Sequence, residues 1–222
     1  MIYLIGGPPK CGKTTLAKRL SKSAGIPWVS ADSLQNVIKP YIAEQDMALK
    51  FPLSAMKYAS NDEKYAAHSS AEIIAAYRQQ AANLEAAIEA FAKSELTDGN
   101  DYILEGYQVT PEVINQLTNA FPEEVRGLIV VKKDPTAFLA DIHKSTTPND
   151  WILSKTHNDA TFLKIATMVT NYSAELENTA KENAVKVFCV DKNFDSELEA
   201  AARYLADAND EDEDLVLVSS NV

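Results

Sequence analysis

Residues Gly7 to Thr14 read Gly-Pro-Pro-Lys-Cys-Gly-Lys-Thr and fill every fixed position of the pattern G-x-x-x-x-G-K-[ST]. Each fixed position has a physical task. Gly7 and Gly12 let the backbone close around a polyphosphate in conformations that a Cβ would obstruct. The N–H groups of Lys10, Cys11, Gly12, Lys13, Thr14 and Thr15 then point inward as anion donors at the positive end of a following helix. Pro8 and Pro9 shape that loop without donating. Lys13 is placed to reach β- and γ-phosphates, and the Thr14 hydroxyl to ligate Mg²⁺. The expected ligand is ATP with Mg²⁺.

A loop of this kind works only between a buried strand and a helix. Met1 to Ile5 is a short apolar run, as a parallel strand buried on both faces requires. Thr14 to Lys22 follows with good helix propensity, Leu16 and Leu20 lying on one face. Further strands are predicted at Ile26–Ser30, Asp101–Gly106, Gly127–Lys132 and Val185–Asp191. Between the second and third, Leu34 to Asn61 is irregular and broken by Pro40 and Pro52. Ser69 to Leu96 then reads as one long helix, opened by the capping box Ser69-Ser70-Ala71-Glu72. Helices are also predicted at Pro111–Ala120, from Pro135, at Phe162–Glu182 and at Phe194–Leu205, with turn residues at Thr146–Trp151.

Five short apolar strands separated by helices predict an α/β fold with a parallel sheet. Ligands of such sheets sit at the carboxyl ends of the strands. The phosphate loop, Asp32, Glu105, Lys132, Lys133 and Asp191 all fall at such ends.

The chain has 222 residues, enough for one such domain with a helical insertion. No run is apolar enough to span a bilayer, and the start lacks the basic flank of a signal peptide. Two cysteines, Cys11 and Cys189, fit a reducing, cytoplasmic setting, and no disulfide is expected. Cys11 reads either as a small loop residue or as a thiol acidified by the helix N-terminus. The net charge is −11. The stretch 207–222 holds six acids and no Lys or Arg, and reads as a solvated acidic tail with an unexplained apolar patch at Leu215–Val218. Removing those six from the 32 acidic residues still leaves more acids than the 21 Lys and Arg, which disfavours nucleic acid as a partner. The three histidines and two cysteines show no metal-ligand spacing.

In this order and spacing the chain resembles the small-molecule and nucleoside kinases of the P-loop superfamily. The likeness is to the shikimate kinase, adenylate kinase, 2-phosphoglycerate kinase and zeta-toxin branch. It is carried by Gly-Gly-Pro-Pro-Lys-Cys-Gly-Lys-Thr-Thr at 6–15, Val-Ser-Ala-Asp at 29–32, Ile-Leu-Glu-Gly at 103–106 and Val-Phe-Cys-Val-Asp-Lys-Asn at 187–193. The resemblance implies a three-layer α/β/α domain over 1–206, its five-stranded sheet in order 2-3-1-4-5. It also implies a helical substrate-binding insertion at about 34–98 and a lid at about 141–159.

The resemblance also implies roles. Asp32 would accept or orient the proton of an acceptor hydroxyl; the alternative is an N-cap for Ser33-Leu34-Gln35. Glu105 would hold Mg²⁺ through water, or an acceptor hydroxyl; the alternative is a buried partner for Lys13. Related lids carry Arg, whereas Asp141 to Asp159 has none, so the cations available there are Lys144 and Lys155, with His143 and His157 nearby. Each lysine also reads as an ordinary solvated residue. Arg78, in the insertion, is a candidate for an anionic group of the acceptor or a surface residue. Asn193 would meet the adenine base or serve a turn.

The reading is therefore an ATP-dependent phosphotransferase acting on a hydroxyl of a small metabolite or nucleoside. A non-catalytic ATP-binding module on the same fold is the alternative, favoured by the Arg-free lid. A hydrolytic switch is third, since the third strand ends Ile-Leu-Glu-Gly rather than in an Asp, and no Asn-Lys-x-Asp signature is present. Neither the acceptor nor the oligomeric state is written in the sequence.

Overall fold

The computed structural model describes residues 1–145 and 150–206. The turn residues at 146–149 and the acidic tail at 207–222 lie outside the described residues. In chain order the strands are β1 (Ile2–Gly6), β2 (Trp28–Ser30), β3 (Tyr102–Glu105), β4 (Val125–Val131) and β5 (Lys186–Cys189). The helices are α1 (Lys13–Ala24), α2 (Ala31–Ile38), α3 (Met47–Lys50), α4 (Pro52–Ala55), α5 (Asn61–Ala67), α6 (Ser70–Ala82), α7 (Glu85–Thr97), α8 (Pro111–Ala120), α9 (Pro135–His143), α10 (Trp151–Lys155), α11 (Asp159–Glu182) and α12 (Phe194–Ala206).

All the strands pair in parallel, in the order β2-β3-β1-β4-β5. This is the P-loop NTPase α/β fold, in the strand order that the resemblance implied. Parallel strands are covered on both faces, and here α1 and α12 pack on one side while α7, α8 and α11 pack on the other. The middle of the sheet is accordingly apolar: Ile2, Leu4, Ile5, Ile103, Leu104 and Leu128 to Val131 are buried. Pairing fixes the register. Ile5 lies beside Glu105 and Ser30 lies on the other side of Glu105, so the ends of β1, β3 and β2 form one row. Neighbouring strands stand about 4.8 Å apart, so that row spans roughly 10 Å.

Local signals end the helices where the chemistry requires. Gly25 closes α1 in the left-handed region, with φ 71°. Thr110 caps α8 through its side chain, with Pro111 in the first turn, and Asp134 does the same before Pro135 of α9. The capping box at Ser69 and Glu72 forms as expected.

The long helix expected over Ser69–Leu96 is instead two helices, α6 and α7. Asn83 makes the break. Its side-chain amide donates to the carbonyls of Lys50 at 3.0 Å and Gln79 at 2.9 Å, competing with the continuing helix ladder. The apolar rhythm hides the corner because Leu84, inside the break, is fully buried. The strands are also shorter at β2 and β5, and longer at the start of β4, than the apolar runs suggest.

Leu84 pins that corner to the core. Leu84→Ala is expected to lower the unfolding free energy by about 2–5 kcal/mol, read as a lower urea midpoint. An unchanged midpoint would show that the corner is held by Asn83 alone.

Candidate functional site

The loop after β1 is shaped by close backbone approach. Gly7 has φ 136°, and a Cβ there would lie 2.1 Å from the Val130 carbonyl oxygen. Gly12 has φ 97°, and its Cβ would lie 2.9 Å from the Phe194 ring. Lys10 also takes a positive φ of 63°. The result is a loop curled over the carboxyl ends of β1 and β4, leading directly into α1.

Lys13 is buried at the head of α1, and its Nζ donates to the Pro8 carbonyl at 2.6 Å. The lysine is thus folded back over its own loop. Thr14 Oγ1 donates to Glu105 Oε1 at 3.1 Å. Glu105 is only 4% exposed. Among the described residues Lys13 meets Pro8 rather than Glu105, so the expected alternative of a Lys13–Glu105 pair is not the arrangement seen.

One strand further out, Asp32 lies in the first turn of α2, exposed to solvent. It does not cap that helix: Ser30 does, accepting from the Asp32 N–H. The Asp32 carboxylate is held by Gln108, whose Nε2 donates to Oδ1 at 2.7 Å. Gln108 is fully buried and also donates to Gln35 Oε1 at 3.2 Å. Gln35 Oε1 further accepts from Gln80 Nε2 and the Tyr107 hydroxyl. Asp32 therefore stands on a buried amide and phenol network drawn from α2, α6 and the loop after β3.

The sequence reading missed this network. Gln35, Gln80, Tyr107 and Gln108 are uncharged, and no spacing rule marks them. The available signal was the placement of Tyr107 and Gln108 two and three residues after Glu105, just past a strand end.

The other expected residues are more dispersed. Lys144 and Lys155 are exposed. The Asn193 side chain is exposed too, while its carbonyl accepts from the Glu197 N–H and the Ser196 hydroxyl at the start of α12. Arg78 pairs with Glu175 at 3.4 Å on α11. It sits two positions from Gln80, which is about 200° around the helix, so the two point to different sides of α6. Gln80, not Arg78, joins the Asp32 network.

Residues 3–190 match the model of the ATPase family associated with various cellular activities (AAA). The chain belongs to this family. No curated protein matches it. Solved structures similar to this AAA-family chain include a shikimate kinase from Bacteroides thetaiotaomicron, 12% identical over 93% of this chain and 98% of that one, with TM-score 0.49. A gluconokinase from Sinorhizobium meliloti 1021 is 12% identical over 92% of this chain and 90% of that one, with TM-score 0.45. A sugar kinase from Janibacter sp. HTCC2649 is 15% identical over 93% and 95%, with TM-score 0.46. Likeness at this level bears on neither substrate nor reaction.

Two further features of the AAA-family phosphate loop concern its neighbours. Cys11 is fully buried, and burial pushes its thiol up to about 11, against the lowering effect of Lys13 and Lys132. Burial is the largest influence on this thiol, which favours the reading of Cys11 as a small loop residue. Cys11 and Cys189 are both free thiols. Lys132, 2% exposed at the end of β4, has its Nζ against Asp141 and 5.3 Å from the centre of the Phe194 ring.

Lys10 reaches out of the loop to Asp150, Nζ to Oδ2 at 2.7 Å. Asp150 is buried, caps α10 through Oδ1, and accepts from Ser145 Oγ through Oδ2. Burial raises the Asp150 carboxyl, but donation from Lys10, Ser145 and Ile152 wins and holds it below its ordinary range. Its folded value is lower than its unfolded value. The clamp therefore contributes fully above the ordinary aspartate value of about 3.9 and is lost as pH falls through the lower folded value.

Asp150→Ala is expected to speed amide exchange at Ile152 and Leu153 about ten-fold at neutral pH, from loss of a cap and a charged partner. In the unaltered chain, the same protection, corrected for intrinsic exchange, should fall as pH drops below the aspartate range. Equal protection in both chains at pH 7 would mean that α10 is held by packing alone.

Proposed function

We propose that the chain is an ATP-dependent phosphotransferase that moves the γ-phosphate to a hydroxyl of a small metabolite or nucleoside. The observation that supports this most is the anchored carboxylate. Asp32 faces solvent on the same edge as the phosphate loop, one strand beyond the Thr14–Glu105 pair, with Gln108 fixing its orientation. A hydrolytic site needs a positioned water; a rigid carboxylate held apart from the phosphate loop suits a bulkier hydroxyl acceptor.

The residues present fit Mg²⁺. Glu105 is a buried carboxylate whose recorded partner is a neutral hydroxyl. A hydrogen bond to a charged group contributes about 1.5–3 kcal/mol, while burying an ion costs several kcal/mol. A cation at this point offsets the difference, and a hydroxyl with one carboxylate is the kind of hard oxygen set that Mg²⁺ shares with phosphates. Thr14 and, by way of water, Glu105 would hold the Mg²⁺, which would supply neutralisation of the phosphate charge.

The chain's own groups do the rest. The amides of the loop and of the first turn of α1 hold the phosphates. Lys13 leaves Pro8 for the β/γ-phosphates. Asp32 accepts the proton of the attacking hydroxyl through the carboxylate that Gln108 orients. Lys10, by holding Asp150, ties the start of α10 to the loop, and the expected lid around it would exclude water. Lys144 and Lys155 are the cations that closure of this lid would bring toward the transferring group. Asn193, just before α12, would meet the base. The helices between β2 and β3 would form the acceptor side, through Gln80 and Gln35. Two free cysteines suit a cytoplasmic setting.

The family description favours a second reading, ATP hydrolysis without an acceptor. Release of ADP from Mg·ATP across nucleosides, sugars and small hydroxy acids separates the two. Turnover should depend on one acceptor class, and Asp32→Asn should lower kcat about 10²–10⁴-fold while leaving ATP affinity within two-fold. Acceptor-independent release that Asp32→Asn leaves unchanged would favour hydrolysis.

A further inference from the structure

The network under Asp32 continues past Gln80 into the segment between β2 and β3. Gln80, 1% exposed on α6, accepts at Oε1 from the Ser54 backbone N–H at 3.0 Å and from the Ser54 hydroxyl at 3.3 Å. Ser54 lies in the first turn of α4, where a backbone N–H has no partner within its own helix. Gln80 supplies that partner and so seats α4 on α6.

A chain of amides can run in either of two directions, because each glutamine can exchange the places of its oxygen and nitrogen. The Ser54 N–H removes the choice, since a backbone N–H only donates. Gln80 turns Oε1 to it and therefore presents Nε2 to its other neighbours, Gln35 Oε1 at 2.8 Å and the Tyr107 hydroxyl at 2.6 Å. That hydroxyl, having accepted, donates to Gln35 Oε1 at 3.1 Å. Gln35 thus shows an oxygen to Gln108, which must answer with Nε2, at 3.2 Å. The second N–H of the same nitrogen goes to Asp32 Oδ1 at 2.7 Å. Keeping this direction has a cost, because Gln108 Oε1 is left buried without a partner. Asp32 is exposed and can be served by water, so it does not by itself compel the arrangement.

We propose that Gln80 is a positioning residue for Asp32: by taking its direction from the Ser54 N–H of α4, it sets which atom of Gln108 faces the carboxylate. The consequence for turnover rests on the phosphotransfer reading; the geometry does not. The helices between β2 and β3 are then more than a wall for the acceptor, because their seating on α6 holds the base with a donor against it. A merely structural Gln80 would only fasten α4 to α6. The neighbouring Gln79 is such a fastener, its Nε2 donating to the Leu49 carbonyl of α3 at 2.9 Å.

The test is the side-chain amide signal of Gln108 in proton–nitrogen NMR of the full chain without nucleotide, assigned by its loss in Gln108→Leu. Bonded to a carboxylate, one of its protons should resonate downfield of ordinary glutamine amides and move back upfield in Asp32→Asn. Gln80→Met and Gln80→Glu both remove the N–H donors toward Gln35. Each should abolish the downfield position and speed exchange of the Gln108 amide protons about ten-fold. Gln79→Met, which loosens α3 from α6 and leaves the amide chain whole, should leave the signal in place. With an acceptor, Gln80→Met should lower kcat about ten-fold while the KM for ATP stays within about two-fold. A Gln108 signal unmoved by both Gln80 variants, or moved equally by Gln79→Met, would overturn the assignment whatever the turnover. Loss of the downfield signal in the Gln80 variants, with no turnover on any acceptor, would support the placement of Gln108 and count against the phosphotransfer reading alone.

Discussion

The structure depends on one steric constraint: the loop after β1 must pass against the backbone of β4 with no side chain between them. At Gly7 the space that a Cβ would need is already occupied by the Val130 carbonyl, and at Gly12 by the Phe194 ring. This close passage turns the amides of the loop inward and starts α1 directly over the sheet edge. Lys13 and Thr14, the first residues of α1, are positioned by that turn, and their side chains then meet the Pro8 carbonyl and Glu105. The parallel register then brings Glu105 beside Ile5 and Ser30 beside Glu105, so a phosphate loop, a buried carboxylate and an exposed carboxylate share one edge.

Polar groups buried near this edge are organised in two different ways. The Asp32 side is a network in which Gln35, Gln80, Tyr107 and Gln108 share donors and acceptors and orient one carboxylate, with Gln108 Oε1 left buried and without a partner. The Lys10–Asp150 side is a charged pair that links the phosphate loop to α10 and bears a real desolvation cost, offset by Ser145 and the α10 amides. The first arrangement suits a group that must keep its geometry. The second suits a contact that responds when the charge in the loop changes.

Much of the fold was legible because its signals are local. The apolar runs of β1 and β4, the Ser69–Glu72 capping box, and Pro111 and Pro135 in first helical turns each determine their own neighbourhood, and each appears in the structure. The strand order was not local; it came from the resemblance carried by the motifs. The α6–α7 corner escaped notice because Leu84 keeps the apolar rhythm through the break that Asn83 makes. Sites divided in the same way. The phosphate-loop motif is contiguous, so its pattern stands in adjacent residues of the sequence. The partners of Asp32 come from three separate segments and are uncharged, so nothing in the sequence joined them. Arg78 drew attention as a scarce cation, but helix geometry turns it away from Gln80 and toward Glu175.

The most direct test of the account is calorimetric binding of Mg·ATP to the full chain and to Lys13→Ala. The account predicts one site per chain, lost or weakened at least a hundred-fold in Lys13→Ala, with the thermal unfolding of the unliganded protein unchanged. Equal binding by both chains would contradict it, because a nucleotide held without Lys13 would not be held by the phosphate loop.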